Sequence, residues 1–182
     1  MSLQILEHPS SSYTGRTYRN AREADLTVAI AMDFTTGGEK MTKQAAGEKY
    51  FAVTKEMLYP GRAVSDHIKT RPPGSVKVIN IAGNGLYTLN LYKLNQSDVD
   101  RVMYGILRVV VNEHKIERVR CGGQTGIDLA GATAAYLLGI PVTVMMPKGF
   151  RQRDMLGIDH YHTEEQIREQ IVKAAARLAR IV

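Results

Sequence analysis

Residues 120–128 read Arg120-Cys121-Gly122-Gly123-Gln124-Thr125-Gly126-Ile127-Asp128, and this stretch decides the fold. An apolar alternation through Ile116 and Val119 leads into it. A helical run through Leu129, Ala130, Ala132, Thr133, Ala134, Ala135, Leu137 and Leu138 leads out. The pattern is strand, glycine turn, helix. Paired glycines at such a turn let backbone amides approach a ligand with no Cβ in the way. The helix that follows points its unpaired N–H groups and positive dipole end at the same spot. The expectation is a phosphate or anion site made by Gly122, Gly123, Gln124, Thr125 and Gly126. Gln124 and Thr125 have no evident structural need and read as added ligand groups. Asp128 has two readings, as a ligand or catalytic carboxylate and as a first-turn acid that suits the helix dipole.

The same rhythm repeats on either side. Residues 26–32 read as a buried strand, followed by a polar loop from Asp33 to Gly38 and a helix from Glu39 to about Ala46. A second strand covers 49–53. A helix over about 56–69, interrupted at Pro60-Gly61, ends at Arg71-Pro72-Pro73-Gly74. A third strand, 76–82, runs into Gly83-Asn84-Gly85. Ser97 is expected to cap an amphipathic helix with Val99, Val102, Met103, Ile106, Val109 and Val110 on one side. The fourth strand is 116–121, and the helix after the glycine turn ends at Gly139. The fifth strand is 140–145. Thr163 and Gln166 form a capping box for a last helix with Ile167, Ile171, Ala174, Leu178 and Val182 on its stripe. Strands alternating with helices predict an α/β fold, Rossmann-like and doubly wound, with a mainly parallel sheet in three layers. Ligands in such sheets bind beyond the C-terminal strand ends. Gly37 and Gly38 with Asp33 and Glu39, then Gly83, Asn84 and Gly85, then Gly122–Asp128, then Lys148 all fall there.

A chain of 182 residues suffices for one domain, 1–182, with a sizeable core. Hydrophobic content of 44% and charged content of 23% are ordinary for a globular protein. No apolar run approaches the ~20 residues of a membrane span, and the opening residues lack the layout of a signal peptide. One cysteine, Cys121, excludes an intrachain disulfide and fits a reducing cytoplasm; it reads as a small core residue. The net charge of +6 comes from scattered residues, which argues against nucleic acid as the partner. The densest basic cluster is Lys148, Arg151 and Arg153. The five histidines show no metal-ligand spacing, so no metal is expected. Val109, Val110 and Val111 cannot all face one core at ~100° per residue. That predicts a helix side facing another subunit, in a homo-dimer or tetramer.

The blocks together resemble a known family. Cys121-Gly122-Gly123-Gln124-Thr125-Gly126-Ile127-Asp128, then Leu138-Gly139-Ile140-Pro141-Val142 and Pro147-Lys148-Gly149, are similar to segments of the molybdenum-cofactor carrier family. That family belongs to a Rossmann-like group with the LOG phosphoribohydrolases and the DNA-processing protein DprA. Tyr13, Arg16, Thr17 and Asn20, followed by Asp25, Gly37-Gly38-Glu39 and Thr42, resemble a second block, and Val78–Gly83 a third. The blocks stand in another order, with the Tyr13 block first, as in a circular permutation. Glu39 stands where the family has Thr, and Asn84-Gly85 where it has Pro-Arg. The resemblance implies the fold, the pocket position and a nucleotide-like or molybdopterin-type ligand.

Three functions follow as expectations. The first is a carrier or sensor for a phosphate-bearing, nucleotide-like or pterin-like molecule, with Arg16 and Lys148 as counter-charges. The second is a nucleotide hydrolase using Asp128 and Glu39 as catalytic carboxyls. The third is DprA-like nucleic-acid binding.

Overall fold

The β-branched runs in the sequence become strands of a single sheet in the computed structural model, which describes residues 2–182. In chain order the elements are β1 (Leu3–Glu7), α1 (Tyr13–Arg22), β2 (Leu26–Ile30), α2 (Gly37–Ala46), β3 (Tyr50–Val53), α3 (Pro60–Lys69), β4 (Val78–Gly83), α4 (Leu86–Leu91), α5 (Gln96–Glu113), β5 (Arg118–Cys121), α6 (Ile127–Leu137), β6 (Val142–Met146), β7 (Gln152–Arg153), β8 (Asp159–His160) and α7 (Glu164–Leu178). Six strands pair in the order β1-β6-β5-β4-β2-β3, every neighbour parallel. This is a three-layer, Rossmann-like α/β fold. The chain steps from β2 out to β3, then crosses back to β4 on the other side of β2. The switch point therefore lies between β2 and β4, where open sheets of this kind part and leave a crevice.

The two faces of the sheet differ in chemistry. On one, α3, α5, α6 and α7 bury Val64, Met103, Ile106, Leu107, Val110, Ile167 and Ile171. The first two and a half turns of α6, Ile127 to Ala135, are buried all round, and small residues make that feasible: a Cβ on Gly131 would lie 2.7 Å from Ile81 Cγ2. The other face is covered by α1 and α2 and carries a polar row. Tyr50, Thr27, Asn80, Arg120, Thr143 and Gln4 are register neighbours, one from each strand. Arg120 forms an ion pair with Glu23 at the end of α1, and Arg118 donates to the Thr143 hydroxyl.

Several boundaries depart from the sequence reading. Pro60 does not interrupt α3 but begins it, at the first helical position where the missing N–H is no loss. Asn95, not Ser97, caps α5, in a capping box with Asp98. The capping box of Thr163 and Gln166 starts α7 as expected. The valine run of α5 is accommodated inside the domain: Val110 is in the core, Val109 lies against Gly61 of α3, and Val111 packs on the core's edge. The packing of these three valines requires no second subunit. Val102 and Val182, expected on the apolar stripes, are exposed, and Val182 lies beyond the end of α7. Four elements had no reading in the sequence: β1, α1, α4 and the β7–β8 hairpin. No helix among the described residues is long and apolar enough to cross a membrane.

Candidate functional site

The glycine stretch at 122–128 is the hub of the C-terminal edge, and its polar groups face inward. The amides of Gly122 and Gln124 face the Asp128 carboxylate and favour its charged form. The carboxylate accepts from Arg16 Nη1 at 2.8 Å. The Gly123 amide meets the Cys121 thiol. Gly126 N–H donates to Gln96 Oε1 at 2.7 Å and Ile127 N–H to the Asn84 carbonyl at 3.2 Å. The helix N-terminus that the sequence offered to a phosphate is thus filled by the helix's own acid. The amides of Gly126 and Ile127 are engaged within the protein, which takes them out of the expected anion site.

Gln124 and Thr125 also have structural work. Gln124 donates to the Arg151 carbonyl and accepts from Arg153 N–H, while Thr125 donates to the Arg153 carbonyl at 2.5 Å. Gln152 returns a bond to the Gly123 carbonyl. These contacts zip the glycine stretch to β7. On its other side, Gly126 bridges to Gly85, and Leu86 N–H donates to the Thr125 carbonyl. Gly123 (φ +72°) and Gly126 (φ +93°) hold the turn in left-handed backbone. A Cβ on Gly123 would meet Val144 and Met146 in the core rather than a ligand position.

Beside this hub a cleft of about 490 Å³ opens at the switch point. Its walls are α1, the first turn of α2 and the loop after β4. Of the residues expected at the site, the structure brings Arg16, Gly37, Gly38, Glu39, Gly83, Asn84, Gly85, Gln124 and Asp128 onto it. It does not bring Asp33, whose carboxylate accepts from Thr35 N–H and hydroxyl in a local turn. Nor does it bring Lys148, which is exposed on a short turn after β6. Gly122, Gly123, Thr125 and Gly126 stand behind the cleft wall. The Asn84 carboxamide is fully engaged: it accepts from Met32 and Asp33 N–H, and it donates to the Asp33 carbonyl and, at 3.4 Å, to Glu39 Oε1.

Glu39 is only 3% exposed, and its Oε2 has no protein partner. Burial, with the nearby charges of Asp128 and Asp33, pushes its carboxyl up to about 8. At neutral pH it therefore carries a proton inside the cleft. Burial also raises the Asp128 carboxyl, against the pull of Arg16 and of the loop amides. Burial pushes the Cys121 thiol up to about 12, so it stays protonated in the core.

On the opposite wall, α1 had no reading from periodicity, and its Tyr13, Thr17 and Asn20 entered only through the family resemblance. Tyr13, Thr17 and Asn20 of α1 line the cleft, as does Arg153. Arg151 and Arg153 stand over the Tyr13 ring, 4.4 and 5.5 Å from its centroid, and the Tyr13 hydroxyl donates to Asp159. A signal was present. Positions 13, 16, 17 and 20 have the spacing of a helix's inner face, but polar residues fill them, so a search for apolar stripes passes over α1. No family model matches this chain, no curated protein is significantly similar to it, and no solved structure matches it.

Proposed function

We propose that the chain binds a phosphate-bearing, nucleotide-sized ligand, nucleotide-like or pterin-like, in the cleft at the β2/β4 switch point, as a carrier or sensor. One observation carries this reading. Buried polar atoms on both walls have no protein partner: both ends of the Asn20 carboxamide, Arg16 Nε and Glu39 Oε2. Leaving such groups unpaired costs about 1–3 kcal/mol each, so a folded protein keeps them where a ligand or water completes them. The cleft volume is in the range of small-molecule sites.

The phosphate end fits at the rim. Gly37 and Gly38 open α2 toward the cleft, and nothing lies within 4 Å of where their Cβ atoms would be. Their amides and the dipole of the ten-residue helix favour an anion there. Arg153, half exposed, shares the Asp159 carboxylate with Arg151, which leaves one net positive charge at the same mouth. Isothermal titration with AMP, GMP and a molybdopterin-type ligand tests the proposal. Binding that weakens about tenfold or more in Gly38→Val and Arg153→Ala is expected. Absence of heat with every ligand at millimolar concentration excludes it.

A second reading rests on the proton held by Glu39. A neutral carboxyl can protonate a departing base as an N-glycosidic bond breaks. Release of free base from nucleoside monophosphates, lost in Glu39→Gln with binding retained, supports hydrolysis. Binding without release leaves the carrier reading alone.

A further inference from the structure

We propose that Asn20 is the specificity-determining residue of this cleft and reads a neutral planar group of the ligand, one presenting a hydrogen-bond donor beside an acceptor, as the edge of a nucleobase or related heterocycle does. The inference rests on the binding function proposed above and names which part of the ligand enters deepest.

Asn20 lies near the C-terminal end of α1, two turns below Tyr13, and is 2% exposed. Its Oδ1 and Nδ2 both lack a protein partner. The polar side chains around it on the cleft wall are donating elsewhere. The Thr17 hydroxyl donates to the Tyr13 carbonyl at 2.9 Å, the Thr42 hydroxyl to the Gly38 carbonyl at 3.0 Å, and Asn80 Nδ2 to the Thr27 hydroxyl at 3.3 Å. Asn20 is therefore the wall residue whose buried carboxamide is unpartnered at both ends. Arg16 Nε, one turn earlier on the same helix, adds one more free donor.

Charge decides which end of the ligand goes in. The guanidinium of Arg16 is already paired with Asp128, 11% and 4% exposed respectively. The Arg16–Asp128 pair leaves no net positive charge beside Asn20 to receive a phosphate, whereas at the rim Arg151 and Arg153 share the single carboxylate of Asp159 and keep one net positive charge next to the α2 amides. An anionic group thus stays outside and a neutral group descends. An Asn carboxamide pairs two-fold with a heterocycle that offers a donor next to an acceptor, and such a pair discriminates by about tenfold or more.

The test compares AMP and GMP with ribose 5-phosphate, which has the sugar and phosphate but no base, by isothermal titration on the wild type, Asn20→Leu and Asn20→Ala. The wild type is expected to bind at least one of the nucleotides about tenfold or more tighter than ribose 5-phosphate. Both variants should reduce that ratio to near unity and leave the affinity for ribose 5-phosphate within about twofold. Asn20→Leu should also melt no lower than the wild type in the absence of ligand, since it replaces an unpaired amide by an apolar group of similar size. Ribose 5-phosphate binding as tightly as both nucleotides in the wild type overturns the proposal, as does a base preference that survives both variants. In either case phosphate-ligand binding itself stands. Failure of all three compounds to bind removes the binding function, and this inference with it.

Discussion

Asp128 occupies the place where a phosphate was expected, and that exchange sets what its substitution does. It neutralises Arg16 across the domain and faces two amides of its own turn. Removing one partner of a buried pair leaves the other charge uncompensated, which costs about 3–5 kcal/mol. Asp128→Asn should therefore lower the unfolding free energy in urea by about 3 kcal/mol, well beyond the effect of a helix-end charge alone. A double variant with Arg16→Met should recover part of the loss. A normal melt for Asp128→Asn would return this carboxylate to a decorative role. Glu39 makes the complementary prediction in pH. Its folded carboxyl titrates near 8, above the ordinary 4.5, so the folded state holds a proton that the unfolded chain has released. The stability this gives is complete below about 4.5 and is lost as pH rises through 8. Chemical denaturation between pH 5 and pH 9 should show the wild type weakening by roughly a few kcal/mol relative to Glu39→Gln. Parallel pH profiles for the two proteins would exclude a protonated Glu39.

At the level of elements, the glycine stretch serves as a fastener. Gln124 and Thr125 hold β7, and with it Arg151 and Arg153 over Tyr13. Thr125→Ala should cost about 1 kcal/mol, one hydrogen bond, and Gln124→Ala somewhat more. Both should speed tryptic cleavage at Arg151 and Arg153, followed by mass spectrometry; unchanged cleavage would mean that the hairpin is held by other contacts. The strand-helix rhythm, the capping box at Thr163 and the edge on which the glycine turns gather could all be read in the sequence, because each depends on spacing within a few residues. The partners of Gln124, Thr125 and Asp128 could not. They lie 27, 28 and 112 residues away along the chain. α1 was invisible for another reason: its inward face is polar, and it rests on a polar row of the sheet. β1 was overlooked because five residues with one buried side chain, Ile5, carry little periodic signal.

For the molecule as a whole, β1 is an addition at the edge beside β6, outside the doubly wound unit from β2 to β6. Removing residues 2–7 should leave a cooperatively melting protein with the cleft intact and a melting temperature lower by several degrees, as expected for a loss of about 1–2 kcal/mol. Circular dichroism on heating would check this, and a non-cooperative melt would show that the sixth strand is indispensable. The pairing of Leu3 with Val142 has a further consequence for how the protein is made. β1 leaves the ribosome well before β6, the strand it pairs with. At 5–20 residues per second, some 140 residues of synthesis separate the two, roughly 7–28 s. Throughout that interval Leu3 and Ile5 have no sheet to join, while β2, β3 and β4 can already pair with one another. The nascent chain thus offers the unpaired β1 segment to chaperones well before its own partner strand emerges.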